Sequence, residues 1–264
     1  MSDLTDTFTI VTPSGVRIGY ETWGCGPPLV LVHGAFSDQH SNWRHVKPLL
    51  APHVTGIAMS RRGRGQTDAT TGHDLRDEIA DAVALIRHID GPVHLLGHSY
   101  GALVALGAAA AAPSHVRKLV VYEAPWPRVF NADSIAPLVQ LGEAREWQRL
   151  AMTFFAEVLA VPQAELDAAQ GTKEWASVLA DTPASFCDLH ALSRHQFEPD
   201  DYRGLTMPVL LQTGSESAPG LYTTDALASV LPMPTLGVLA GQAHDAMTIA
   251  PAHYAASVLD FLEI

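Results

Sequence analysis

Cysteine is scarce in this chain: Cys25 and Cys187 are the only two among 264 residues. Two thiols so far apart make neither a disulfide framework nor a CxxC redox or zinc site, which points to a reducing cytoplasm. Positive charge is scarce too. Sixteen Lys and Arg stand against 28 Asp and Glu, a formal net charge of −12. The clustered cations that neutralise nucleic-acid phosphates are missing, so a polyanionic partner is set aside. Long apolar runs are also lacking. The longest, "GALVALGAAAAAP" at 101 to 113, has about half the roughly 20 residues a bilayer span needs and stops at a proline, so it reads as a buried helix and no membrane partner is expected. The start, "MSDLTDTFTI", carries acids where a secretory signal carries bases, and no apolar segment follows, so export by a signal peptide is not expected.

With 47% hydrophobic and 17% charged residues, the chain has the composition of a folded protein with one large core. Short leucine-rich and β-branched runs recur: "PLVLVHG" (28 to 34), "VTGIAM" (54 to 59), "VHLLGHS" (93 to 99), "KLVVYEAP" (118 to 125), "PVLLQTG" (208 to 214) and "TLGVLAG" (235 to 241). Near-continuous apolar character is what strands of a parallel sheet, buried on both faces, show. Helices are expected between them at about 42 to 51, 75 to 89, 100 to 112 and 247 to 262. The segment from 7 to 24, turning at Pro13-Ser14-Gly15, reads as an antiparallel hairpin. From 125 to 204 no strand signal occurs, far more chain than a crossover needs. The expected fold is therefore α/β: a mostly parallel central sheet flanked by helices, with an N-terminal antiparallel hairpin. Residues 1–125 and 205–264 form its core. A helical cap, 126–204, is inserted after the strand ending at Glu123, with helix-like stretches at 135 to 160 and 162 to 170.

"GHSYG", residues 97 to 101, follows a strand and opens a helix, the context in which a G-x-S-x-G match carries chemistry. Such a turn holds the serine, here Ser99, at φ > 0. Its two glycines, Gly97 and Gly101, remove Cβ atoms that would collide with the turn. No HExxH or comparable ligand cluster occurs, and no Gly-rich turn with Lys-Ser/Thr, so no metal, cofactor or phosphate site is expected.

In their order along nearly the whole chain, "LVLVHG", "SRRGRGQTD", "GHSYG" and "GQAHDAM" resemble the α/β-hydrolase family. The resemblance implies a nucleophile at Ser99, a general base at His244, and an oxyanion hole from the backbone N–H groups of Ala35 and Tyr100. It implies for His33 a loop-bracing role, and for His98 a side chain turned away from the nucleophile. A serine nucleophile also separates the chain from the dehalogenase and epoxide-hydrolase branches, which use Asp there. Two departures stand out: Ser60 replaces the Asp usual before Arg-x-Gly, and Ser217 occupies the usual place of the acid. A serine cannot hold a permanent charge opposite an imidazolium. The family's second acid position, at the end of the strand after the nucleophile helix, falls on Glu123. Glu216 remains an alternative, and the competing reading of Glu123 is an ion pair with Arg128 or Arg194 that ties cap to core.

The expected activity is hydrolysis of a carboxylic ester or lactone with an apolar body, a small-molecule substrate, by a Ser-His-Glu acyl-enzyme route without cofactor. Pocket candidates are Phe36, Trp126, Phe130 and Phe154. A non-hydrolytic cyclase or lyase and a ligand-binding protein on the same fold are the competing readings.

Overall fold

Alternate residues of the leucine- and valine-rich strands feed two separate cores. Val30, Val32 and Leu95 point to one side of the sheet, with Leu85, Leu103 and Leu106. Leu29, Leu31 and Leu96 point to the other, with Trp43, Tyr254 and Val258. In the computed structural model, which describes residues 5–69 and 72–264, an eight-stranded sheet separates these cores. The first four residues of the acidic start lie outside the described residues.

The strands are β1 (Asp6–Val11), β2 (Arg17–Gly24), β3 (Pro28–Val32), β4 (Thr55–Met59), β5 (Val93–His98), β6 (Val116–Tyr122), β7 (Val209–Gly214) and β8 (Pro234–Leu239), in the order β1-β2-β4-β3-β5-β6-β7-β8. The hairpin β1–β2 and the pair β2–β4 are antiparallel, and every other pairing is parallel. The helices are α1 (Lys47–Leu50), α2 (Leu75–His88), α3 (Tyr100–Ala111), α4 (Ala132–Glu143), α5 (Trp147–Thr153), α6 (Gln163–Ala169), α7 (Lys173–Arg194), α8 (Thr224–Val230), α9 (Ala246–Ile249) and α10 (Pro251–Leu262). α2 begins in a capping box: the Asp74 carboxylate accepts from the Arg76 and Asp77 N–H groups, while the Asp77 side chain accepts from the Asp74 N–H.

Four expectations need adjustment. The helix expected over 42 to 51 is helical only over its last turn, Lys47–Leu50. The stretch from 135 to 160 is split. α4 ends before Arg145, whose φ is +57°, and α5 runs into a π-wound turn over Phe154–Val158. The final helix is interrupted at Ala250, ahead of Pro251, which cannot donate to a continuing helix. β8 is not buried on both faces: as the edge of the sheet it leaves Leu236 and Val238 each 62% exposed.

α4 to α7 all lie between β6 and β7. α7, 22 residues long, went unnoticed in the sequence. Pro183 inside it and Thr182, Ser185 and Asp188 on its buried side blur the apolar stripe by which helices are recognised.

Candidate active site

Where β5 ends, Ser99 stands at φ +54° and ψ −125° immediately before α3. Only glycine fits on either side. A Cβ on Gly97 would come within 2.5 Å of the Ala102 Cα, and one on Gly101 within 2.3 Å of the carbonyl oxygens of Val32 and His33. The Ser99 N–H donates to the Tyr122 carbonyl at 2.9 Å, tying this turn to the end of β6.

One residue past β6, Glu123 is fully buried at φ +51°. Its Oε1 accepts from the Gly214 N–H at 2.8 Å, the Thr213 hydroxyl at 3.1 Å and the Ser217 hydroxyl. Its Oε2 lies 2.7 Å from Nδ1 of His244. The structure thus pairs Glu123 with His244 and not with either arginine. Arg128 lies over the Trp126 ring at 4.2 Å, and Arg194 donates to the His73 carbonyl. Glu216 turns to the Ser215 hydroxyl at 3.0 Å. Ser217, in the position where an acid was sought, instead donates to the acid from the neighbouring strand.

Burial pushes the Glu123 carboxyl up, but the hydrogen bond and charge of His244, with the Ser217 and Gly214 donors, hold it below the usual carboxylate range. Burial alone would lower the His244 imidazole. The hydrogen bond and charge of Glu123 outweigh it, so His244 titrates above its ordinary value. The Tyr222 ring stacks on this imidazole, with centroids 5.3 Å apart and planes 10° from parallel, and its hydroxyl lies 3.1 Å from Nδ1. Burial and the Glu123 charge push the Tyr222 phenol far up, so it stays protonated.

The loop carrying His244 is held from below. Its carbonyl accepts from Nε2 of His98 at 3.2 Å, and the Ala243 carbonyl accepts from the Tyr122 hydroxyl. His98 therefore supports the base loop while its Nδ1 lies 3.0 Å from Asn42 Oδ1. Asn42 Oδ1 also accepts from the Gly34 N–H at 3.2 Å. His33 braces the same turn: its Nδ1–H donates to the Gly34 carbonyl at 2.8 Å, and its Nε2 accepts from the Arg61 N–H at 3.1 Å. Burial, with Arg61 and Arg64 nearby, keeps His33 neutral. A Cβ on Gly34 would touch Ser99 Cβ at 3.1 Å, so this turn lies directly against Ser99.

Two expected backbone donors flank that contact. The Ala35 N–H has no hydrogen-bond acceptor among the described residues, and Tyr100, as the first residue of α3, has none within its helix. Neither has the Ser99 hydroxyl a partner among the described residues. Ala35, Ser99 and His244 all border two cavities, of about 30 and 340 Å³. Phe130 lines the smaller, Phe36 the larger and Phe154 both. Trp126 lines neither, because it packs against Phe197 at 5.7 Å.

A buried charge network beneath the site was not anticipated. Arg61 donates to Glu78 at 2.7 Å, to Asp188 of α7 at 2.7 Å and to the His33 and Gly34 carbonyls, and its guanidinium lies 4.4 Å from the Tyr100 ring. Arg64 donates to the same Asp188 at 2.6 Å and to Ser185 at 3.0 Å, and Ser185 Oγ accepts from the Phe36 N–H at 2.7 Å. The run "SRRGRG" was the available signal. It does not show which acids the arginines meet, because those lie 17 and about 125 residues away. Among the described residues His73, Glu78 and Asp188 bring potential metal ligands within 4.8 Å of one another. Arg61 already bridges both carboxylates, occupying the place a cation would take.

A family model described as "Alpha/beta hydrolase family" matches residues 29–257. A 2-hydroxy-6-oxo-6-(2'-aminophenyl)hexa-2,4-dienoic acid hydrolase of Metapseudomonas resinovorans is 30% identical over 141 residues, 52% of this chain and 49% of that protein. The chain spans about half the length of the first curated relatives it matches. Among solved structures, an alpha/beta hydrolase from Sphaerobacter thermophilus DSM 20745 aligns with a TM-score of 0.82 at 27% identity, covering 97% of this chain and 100% of that one. The enol-lactonase from Burkholderia xenovorans LB400 reaches the same TM-score at 16% identity over the same shares, a likeness of fold alone.

Proposed function

Because the chain belongs to the alpha/beta hydrolase family, we propose that it is a serine hydrolase cleaving a carboxylic ester or lactone with an apolar body. The observation that carries this reading is the 2.7 Å contact between His244 Nδ1 and a buried Glu123 carboxylate, at a cavity wall shared with Ser99. An acceptor fixed on Nδ1 leaves Nε2 as the imidazole's free base, the tautomer a hydroxyl nucleophile needs.

In this proposal Ser99 Oγ attacks the carbonyl carbon as His244 takes its proton, and the charge on Glu123 steadies the imidazolium. The Ala35 and Tyr100 N–H groups receive the oxyanion; a donor so placed is worth about 3 kcal/mol in the transition state. His244 returns the proton to the leaving oxygen, and water then repeats the sequence on the acyl-enzyme. The helices between β6 and β7 serve as a cap, residues 126–204, over the core. A small molecule is the partner, and the two free cysteines favour a cytoplasmic setting.

The test is turnover of p-nitrophenyl acetate or butyrate by the protein and by Ser99→Ala, with mass detection of a phosphonate adduct. Turnover lost in the variant, with an adduct on Ser99, is the expected result. Tight small-molecule binding without turnover or adduct would instead favour the binding-protein reading.

A further inference from the structure

Space beside Ser99 is divided unequally. The smaller cavity, about 30 Å³, is walled by Phe130, Leu189, Leu192 and Leu221, and all of its lining residues are buried or half-buried. That is room for two or three water-sized groups. The larger, about 340 Å³, falls within the range of cavities that hold drug-sized ligands. It runs past the segment after His244 to the surface, where Ile249 is 73% exposed and the Glu174 side chain 58% exposed. Ala35, Ser99, Phe154, Leu159 and His244 belong to both walls, so the two spaces meet beside Ser99.

Resting on the serine-hydrolase reading, we infer that the substrate is an acyclic ester of a short acyl group, with one to three carbons beyond the carbonyl, and a bulky uncharged alcohol. The order of events assigns the sides. When the Ser99 Oγ–acyl bond forms, the ester C–O bond breaks and the alcohol, protonated by His244, must leave before water can attack. The acyl group stays behind until water regenerates the serine and releases the acid. Both chambers border His244; the larger, whose lining includes exposed residues, suits the group that leaves first, and the smaller, lined by buried and half-buried residues alone, suits the group that waits.

Charge and tether narrow the class further. Arg44 in the larger wall is already paired with Glu174 at 3.4 Å, so no unpaired cation awaits an anionic body. A lactone's acyl and alkoxy parts share one ring, so they cannot be divided between two chambers of about 30 and 340 Å³. Apolar walls of aromatic and aliphatic side chains, Phe36, Phe155 and Trp175 among them, suit an aromatic or terpenoid-sized alcohol.

The experiment compares kcat/KM for 2-naphthyl acetate, 2-naphthyl octanoate, methyl 2-naphthoate and δ-decanolactone, with phosphonate labelling of Ser99 run in parallel. 2-Naphthyl acetate should exceed each of the others by roughly 100-fold, the discrimination that misfitting methylenes produce in a closed pocket. Leu192→Ala should reduce the acetate-to-octanoate ratio about tenfold by enlarging the small chamber. Leu189→Ala offers the same opening if the first variant does not fold. Equal rates for acetate and octanoate, faster turnover of methyl 2-naphthoate or the lactone, or an unchanged ratio in the folded variants would overturn the inference while leaving the hydrolase standing. No turnover with no adduct on Ser99 would overturn both.

Discussion

Replacing Glu123 by Gln tests the charge without the shape. Three donors, from Gly214, Thr213 and Ser217, converge on Oε1, so the amide oxygen of Gln is held there and its NH2 faces His244. An NH2 in that place donates to Nδ1, forcing the imidazole proton onto Nε2, where it blocks acceptance of the Ser99 proton. The analogous Asp-to-Asn change in a serine protease lowers kcat about 10⁴-fold, which corresponds to about 5 kcal/mol in the barrier. A loss of that order is expected here, in kcat with KM little changed, measured on p-nitrophenyl butyrate. The pH profile supplies a second readout. His244 must be neutral to act as the proposed base, so in the parent protein activity should fall as pH drops through a pKa above the ordinary 6.5. Without the carboxylate the imidazole loses what raised it, and the acid limb should move to lower pH. Glu216→Gln should leave both rate and profile in place. Equal losses from the two changes, or a Glu123→Gln enzyme of undiminished rate, would refute the argument.

Ser217→Ala removes one donor from Oε1 while the Gly214 and Thr213 donors remain; kcat should fall by at most roughly 10- to 150-fold, the about 1.5–3 kcal/mol of one hydrogen bond to a charged group. Gly101→Ala would place a Cβ 2.3 Å from two backbone oxygens that cannot rotate away, and soluble folded protein should be lost, as read by circular dichroism. Asp188→Asn leaves the buried Arg64 guanidinium without a carboxylate and Arg61 with Glu78 alone. It should cost about 3–5 kcal/mol and lower the melting temperature by on the order of 10 °C. Arg17→Ala, which breaks an exposed pair with Asp68, should cost at most about 1 kcal/mol in the same melt.

The chemistry-bearing loops were legible because each needs a residue type that few other places tolerate. Ser99 between two glycines reports a backbone constraint that the structure bears out at φ +54°, and the strand before it is apolar enough to read without help. His244 was legible by its place after the last strand. Less of the support could be read. Asn42 looks like any loop residue, and Tyr222 like any half-buried aromatic. Their roles come from contacts across 56 and 22 residues of sequence. The same holds for Arg61 and Asp188, 127 residues apart. Periodicity carries information about which face a residue takes, but none about which distant residue meets it there. Edge position is hidden for the same reason: β8 has the composition of an interior strand, and only the topology shows that nothing pairs beyond it.

Backbone strain marks the site independently of its side chains. Among the described residues, six other than glycine have positive φ, and three of them are Phe36, Ser99 and Glu123, at the ends of β3, β5 and β6. Each such residue costs about 1–2 kcal/mol, so each must be held by something outside itself. The N–H of Phe36 donates to Ser185 of α7, that of Ser99 to the Tyr122 carbonyl, and that of Glu123 to the Gln212 carbonyl of β7. Three strained residues are thus fixed by three different elements, none of which depends on a bound molecule. The proposed oxyanion loop, nucleophile and acid are held in these conformations before substrate arrives. A site of that kind lowers a barrier by having its dipoles already aimed, since no reorganisation remains to be done when charge develops. The left-handed turn at Glu123 also lets a carboxylate one strand over from the expected place reach His244. It redirects the side chain at the end of β6 toward the end of β7, where Ser217 now contributes a proton donor instead of a charge.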